Sequence, residues 1–73
     1  MLINLYTLPT CGICQMIKTK LNQKNIKFNE KDFSDIANII NSDRAPALEI
    51  ADNGENTIYN TPSAIVNWIN KQE

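Results

Sequence analysis

The chain has 73 residues, of which seven are basic and eight acidic, with no histidine and a formal net charge of −1. So even a balance argues against a nucleic-acid or membrane-surface role driven by bulk electrostatics, and no apolar run approaches the ~18 residues of a membrane span. The length predicts one domain over residues 1–73, near the lower limit at which a hydrophobic core stands without staples, with its 42% hydrophobic share gathered into periodic segments.

Leu2 to Thr7 is short, apolar and rich in strand formers, and Pro9 prevents its continuation as a paired central strand. From Gly12 to Lys24 the apolar residues Cys14, Ile17 and Leu21 share one helical stripe, flanked by Ile13 and Met16, while Gln15, Lys18 and Thr19 face away. Asn25 is placed to end that helix. Ile26 to Lys31 alternates, with Ile26 and Phe28 on one face, and predicts a half-buried strand. Ser34 is the expected cap of a short helix whose Ile36, Ile39 and Ile40 share a side. Ala47 to Ala51 predicts a third strand and Asn56 to Tyr59 a fourth, joined as a hairpin through the turn cluster Asp52-Asn53-Gly54-Glu55. Thr61-Pro62 is a hydroxyl cap followed by proline at the first helical position. Ala64, Ile65, Trp68 and Ile69 make the last helix amphipathic. Trp68 and Tyr59 are expected in the core.

The predicted order is therefore β-α-β-α-β-β-α. A right-handed crossover makes the first two strands parallel, and the closing hairpin adds antiparallel ones. The expected fold class is α/β, a four-stranded mixed sheet with three helices covering its two faces.

Both cysteines of the chain stand in Cys11-Gly12-Ile13-Cys14. A C-x-x-C pair set where a strand turns into a helix reads as a thioredoxin-type dithiol site. Wholly inside a helix, residues three apart hold their Cβ atoms about 5–6 Å apart, whereas a disulfide wants roughly 3.5–4.5 Å. With Cys11 at the cap the gap can close, and the bond can form and break. There the unpaired N–H groups and the positive end of the helix dipole also favour the thiolate, which is the nucleophile. A purely structural bridge closing so short a loop would contribute at the low end of about 2–4 kcal/mol. Zinc needs four ligands, and one chain offers two cysteines and no histidine, so only a dimer could complete such a site. The start of the chain lacks the basic region and cleavage site of a signal peptide. The expected compartment is accordingly the cytoplasm, where a disulfide is more often catalytic than structural.

Tyr6-Thr7-Leu8-Pro9-Thr10-Cys11-Gly12-Ile13-Cys14, the later Arg44-Ala45-Pro46 and the element order together resemble a glutaredoxin, and also the glutaredoxin-like hydrogen donors of ribonucleotide reductase. The resemblance covers nearly the whole chain, specifically at the dithiol segment and in pattern elsewhere. It implies a thioredoxin fold, with Cys11 as the attacking thiolate, Cys14 as the resolving thiol and Pro46 as a cis proline opposite them. It further implies that Thr10, Gly12, Ile13, Ala45 and Pro46 border the substrate. Arg44 is then placed to meet a substrate carboxylate, while Asn60 and Thr61, with Ser63, combine helix-cap chemistry with N–H groups that can receive a carboxylate.

The activity implied is that of a small thiol–disulfide oxidoreductase acting on protein or glutathione mixed disulfides. Its partners would be a disulfide-containing protein and, as electron source, glutathione or a flavoprotein reductase. No cofactor is expected to be bound tightly, glutathione being a co-substrate; no metal site, nucleic acid or membrane is expected, and the chain is read as a monomer. Two alternatives come with the resemblance. One is a glutathione-independent hydrogen donor reduced by a thioredoxin-reductase-like enzyme. The other is a dimeric carrier bridged by an iron–sulfur cluster, which Gly12 brings into view. Three departures bear on this. Leu8 stands where the family usually has lysine, Asn60-Thr61-Pro62-Ser63 replaces a Gly-Gly loop, and the middle helix is short. All three lead to the expectation that glutathione serves this chain less well than it serves ordinary glutaredoxins.

Overall fold

The computed structural model describes residues 2–9, 11–41 and 45–72. Among them the chain forms β1 (Leu2–Thr7), α1 (Gly12–Gln23), β2 (Asn29–Asp32), α2 (Ser34–Ile40), β3 (Ala47–Asp52), β4 (Glu55–Tyr59) and α3 (Pro62–Asn70), in the order expected. The sheet order is β2-β1-β3-β4. β1 and β2 run parallel, with Leu5 opposite Glu30. β3 is antiparallel to β1, with Leu5 opposite Leu48, and β4 is antiparallel to β3.

Side chains alternate across β1 and divide the core into two layers. Ile3 and Leu5 point to one face with Leu48 and Ile50, where they meet Ile17 and Leu21 of α1 and Ile65 and Ile69 of α3. Tyr6 and Ala47 point to the other face and pack with Phe33 and Ile36 at the start of α2. Beyond the short α2 that second face turns polar. Asn4, only 4% exposed, donates through Nδ2 to Glu49 Oε1 at 2.8 Å and accepts from Asn29 Nδ2 at 3.3 Å, while the Tyr6 hydroxyl also donates to Glu49 Oε1. Three strands are thus tied through side chains as well as backbone, and no buried side-chain polar atom of the described residues lacks a partner. On the opposite face, Lys18 of α1 pairs with Glu30 of β2 at 3.0 Å, and Thr7 Oγ1 donates to the same carboxylate.

Three local expectations shift. The second strand is Asn29–Asp32, all four residues exposed, rather than the half-buried Ile26 to Lys31. The reason lies in how α1 ends. Asn25 adopts φ 58, its N–H donates to Asn22 C=O at 3.1 Å, and Ile26 N–H reaches back to Leu21 C=O at 3.0 Å. This is a Schellman closure. It uses the Ile26 backbone, so Ile26 and Phe28 pack on the core before pairing begins. Ser34 is also not the cap of α2. It is the first helical residue, and both its N–H and its hydroxyl donate to Asp32 Oδ1, at 2.9 and 3.0 Å. Finally, Ile39 is 77% exposed while Ile36 is buried, because a seven-residue helix turns only one narrow stripe toward the sheet.

The hairpin turn is as the Asn-Gly pair predicts, with Asn53 at φ 53 and Gly54 at φ 84. Both central residues at positive φ match the twist of the flanking strands. A Cβ at Gly54 would meet nothing within 4 Å, so the cost of Gly54→Ala is backbone conformation alone. That substitution should cost about 1–2 kcal/mol and lower the melting temperature by roughly 4–8 °C per kcal/mol, as thermal unfolding followed by circular dichroism would show.

Candidate functional site

At the C-terminal end of β1 the chain turns across Pro9, with Cys11 N–H donating to Leu8 C=O at 3.1 Å. Cys11 is the N-cap of α1. Its backbone is extended (φ −89, ψ 105), and its Sγ accepts the Cys14 N–H at 3.2 Å. A sulfur in this role satisfies one of the orphan N–H groups of the first turn.

Cys14 sits one turn on, with no exposed surface, in line with Ile17 and Leu21. Burial first, and then its hydrogen bond to Cys11, push its thiol up to about 11, while a backbone hydrogen bond with Leu8 works in the other direction. Both cysteines are free thiols, Cys11 half-buried and Cys14 buried. The pair is therefore divided in character. One sulfur is reachable and faces an N–H donor; the other is enclosed and holds its proton, directed toward the first. No histidine is present to act as a base.

A second group of the residues singled out in the sequence lies in the segment entering β3. The Ala45–Pro46 peptide bond is cis. Pro46 is fully buried and Ala45 borders the Tyr6–Phe33 cluster together with Leu8. Since Ala47 pairs with Tyr6, continuing that register one step sets Pro46 beside Thr7, at the strand end that leads into the dithiol. Asn60 Nδ2 donates to the Pro46 carbonyl at 3.3 Å, tying the β4–α3 connection to this segment. Thr61 caps α3 with φ −119 and ψ 144, its Oγ1 accepting the Ala64 N–H at 3.3 Å, and Pro62 follows at the first position.

The residues singled out in the sequence thus fall into groups. Cys11, Gly12, Ile13 and Cys14 form the opening of α1, with Ile13 45% exposed and Gly12 open to solvent. Ala45 and Pro46 lead into β3 with Asn60 tied to the Pro46 carbonyl, and Thr61 opens α3 next in sequence to Asn60. Asn60 and Thr61 each spend a side-chain atom on their own scaffold. Thr10 and Arg44 lie outside the described residues. Sequence reasoning missed a shallow groove of about 420 Å³ between α1 and α3, lined by Met16, Pro62, Ser63, Val66 and Asn67. Its signal was available in Ile13 and Met16, which are spaced for one helix face but lie off the buried stripe.

Comparison with known proteins adds the following. The glutaredoxin family model matches residues 3–52. Among curated proteins no sequence match is found. Among solved structures, a trimeric glutathione transferase of Leishmania superposes with a TM-score of 0.77 at 15% identity, over 93% of this chain. The chain spans 17% of that protein's length. Thioredoxin of Plasmodium falciparum superposes with a TM-score of 0.65 at 19% identity, covering 99% of this chain and 85% of that one. At such identities the structural likeness speaks for the fold alone.

Proposed function

This chain belongs to the glutaredoxin family and has the thioredoxin fold, and on that premise we propose that it is a dithiol thiol–disulfide oxidoreductase acting through Cys11 and Cys14. The observation that carries the reading is the Cys14 N–H aimed at the Cys11 sulfur, with the Cys14 thiol buried behind it. The Cys11 thiolate attacks one sulfur of a substrate disulfide. A Cys11–substrate disulfide forms, the substrate S–S bond breaks, and the departing sulfur leaves as a thiolate that takes up a proton. Cys14 then gives up its proton and attacks Cys11 Sγ. The Cys11–Cys14 disulfide forms, the mixed disulfide breaks, and the second substrate sulfur departs and is protonated in turn. Two electrons have passed from the dithiol to the substrate. The high proton affinity of the Cys14 thiol keeps it from competing as the first nucleophile, and its place one turn from Cys11 makes the second attack intramolecular.

The electron source in this reading is glutathione or a flavoprotein reductase, and the substrates are protein or glutathione mixed disulfides. The test supplies bis(2-hydroxyethyl) disulfide and NADPH together with either glutathione and its reductase, or thioredoxin reductase alone. NADPH consumption in at least one arm, lost on Cys11→Ser, is the expected result and identifies the reductant. Consumption in neither arm would overturn the proposal.

A further inference from the structure

Residues 1–17 and 56–70 contain no Asp, Glu, Lys or Arg at all. In β1 this is ordinary, since that strand is buried. In the helices it is not, because the solvent face of a surface helix usually carries charge. Within these stretches the exposed positions are Gly12, Ile13, Gln15 and Met16 in the first half of α1, and Ser63, Asn67 and Asn70 on α3, and the charge of α1 begins only at Lys18 and Lys20. The fold brings the two neutral stretches together, since α1 packs on α3 through Ile17, Leu21, Ile65 and Ile69. The result, among the described residues, is a surface without formal charge that starts at Cys11 and runs over Ile13 and Met16 into the groove beside Val66. Ile13 and Met16 are 45% and 43% exposed.

We infer that the substrate of this dithiol is a protein whose disulfide lies in an uncharged segment, one of whose apolar side chains seats in the groove between α1 and α3. The inference rests on the dithiol reading above and names the substrate class for it. A charged side chain placed on this surface would lose water and gain no counter-charge, which is costly. An apolar side chain loses nothing and covers Ile13 and Met16. Such a patch, low in charge and with an adaptable methionine at its centre, has the make-up of a protein interface core. Attack by Cys11 necessarily brings the substrate chain to within two residues of Ile13, and Met16 stands one helical turn further on. A glutathionyl group, with two carboxylates, finds no charged partner on this surface among the described residues.

The experiment uses the fully reduced protein and three symmetrical peptide disulfides, acetylated and amidated, in which the cysteine is flanked by Leu and Val, by Glu, or by Lys. Single-turnover reduction is followed by chromatography at low and high salt, each rate divided by that of dithiothreitol with the same peptide. The apolar peptide should react about tenfold faster than either charged one, with little salt dependence. Met16→Glu and Val66→Glu should both shift the preference toward the Lys peptide, and that gain should fall with salt. The ratio of rates within one sample is independent of how much of a variant is folded, and Met16, being exposed, is the safer of the two. Equal rates for the three peptides, or a preference unmoved by either variant, would overturn the inference while leaving the dithiol reading standing. Reduction of none of them would overturn both.

Discussion

Cys11→Ser is expected to lower disulfide exchange by about a thousandfold or more, since it removes the nucleophile itself. Cys14→Ser should do something different: the first attack proceeds, resolution does not, and a mixed disulfide accumulates on Cys11. Mass spectrometry of the two variants after exposure to a disulfide substrate separates these outcomes. Alkylation provides the pH dependence. With the Cys14 thiol at about 11, only about one molecule in ten thousand holds it as thiolate at pH 7, and the thiolate fraction grows tenfold per pH unit. Iodoacetamide at neutral pH should therefore mark Cys11 first and Cys14 far more slowly, with Cys14 labelling climbing steeply up to about pH 11. Faster labelling of Cys14 would reverse the assignment of roles. The same shift has a consequence for stability. A thiol that binds its proton more tightly when folded stabilises the native state below its ordinary value of 9.0, and that contribution is lost as pH rises from there toward about 11.

Leu5→Ala should be the most damaging single change to the fold. Leu5 lies on the central strand with no exposed surface, inside the layer formed with Ile17, Leu48 and Ile65. Truncating such a leucine costs about 2–5 kcal/mol, a large part of the roughly 5–15 kcal/mol that holds a domain together. In a chain of this size each kcal/mol shifts the melting temperature by about 4–8 °C, so the variant should melt at least about 8 °C below the parent. Ile39→Ala is the control. Ile39 is 77% exposed, and a surface change of that kind should stay within about ±0.5 kcal/mol. Comparable losses in the two variants would mean that the core layers are not where the structure puts them.

Several features were legible in the sequence because their causes are local. The stripe Cys14–Ile17–Leu21, the Asn53-Gly54 turn and the Thr61-Pro62 helix start each rest on residues within one or two turns of one another, and each appears as expected. The element order followed from the same signals. Where a boundary depended on competition between neighbours, the reading drifted. Ile26 looked like strand by alternation, yet its N–H closes α1 on Leu21. Ser34 looked like a cap, yet Phe33 holds the cap position and the Ser34 N–H and hydroxyl are both taken up by the Asp32 carboxylate two residues earlier.

By itself, then, the sequence determined the element order, the placing of a cysteine pair where a strand becomes a helix, and the two stretches free of charge. All of these are patterns that a few adjacent residues impose on the backbone or display directly. Tertiary structure alone decided the rest. The sheet order β2-β1-β3-β4, the complete burial of Cys14 that raises its proton affinity, the Asn60 bond to the Pro46 carbonyl and the joining of α1 and α3 around one neutral groove all depend on residues distant along the chain. Each depends on long-range packing that removes groups from water, and a side chain's charge, partners and exposure follow from that packing and not from its neighbours in sequence.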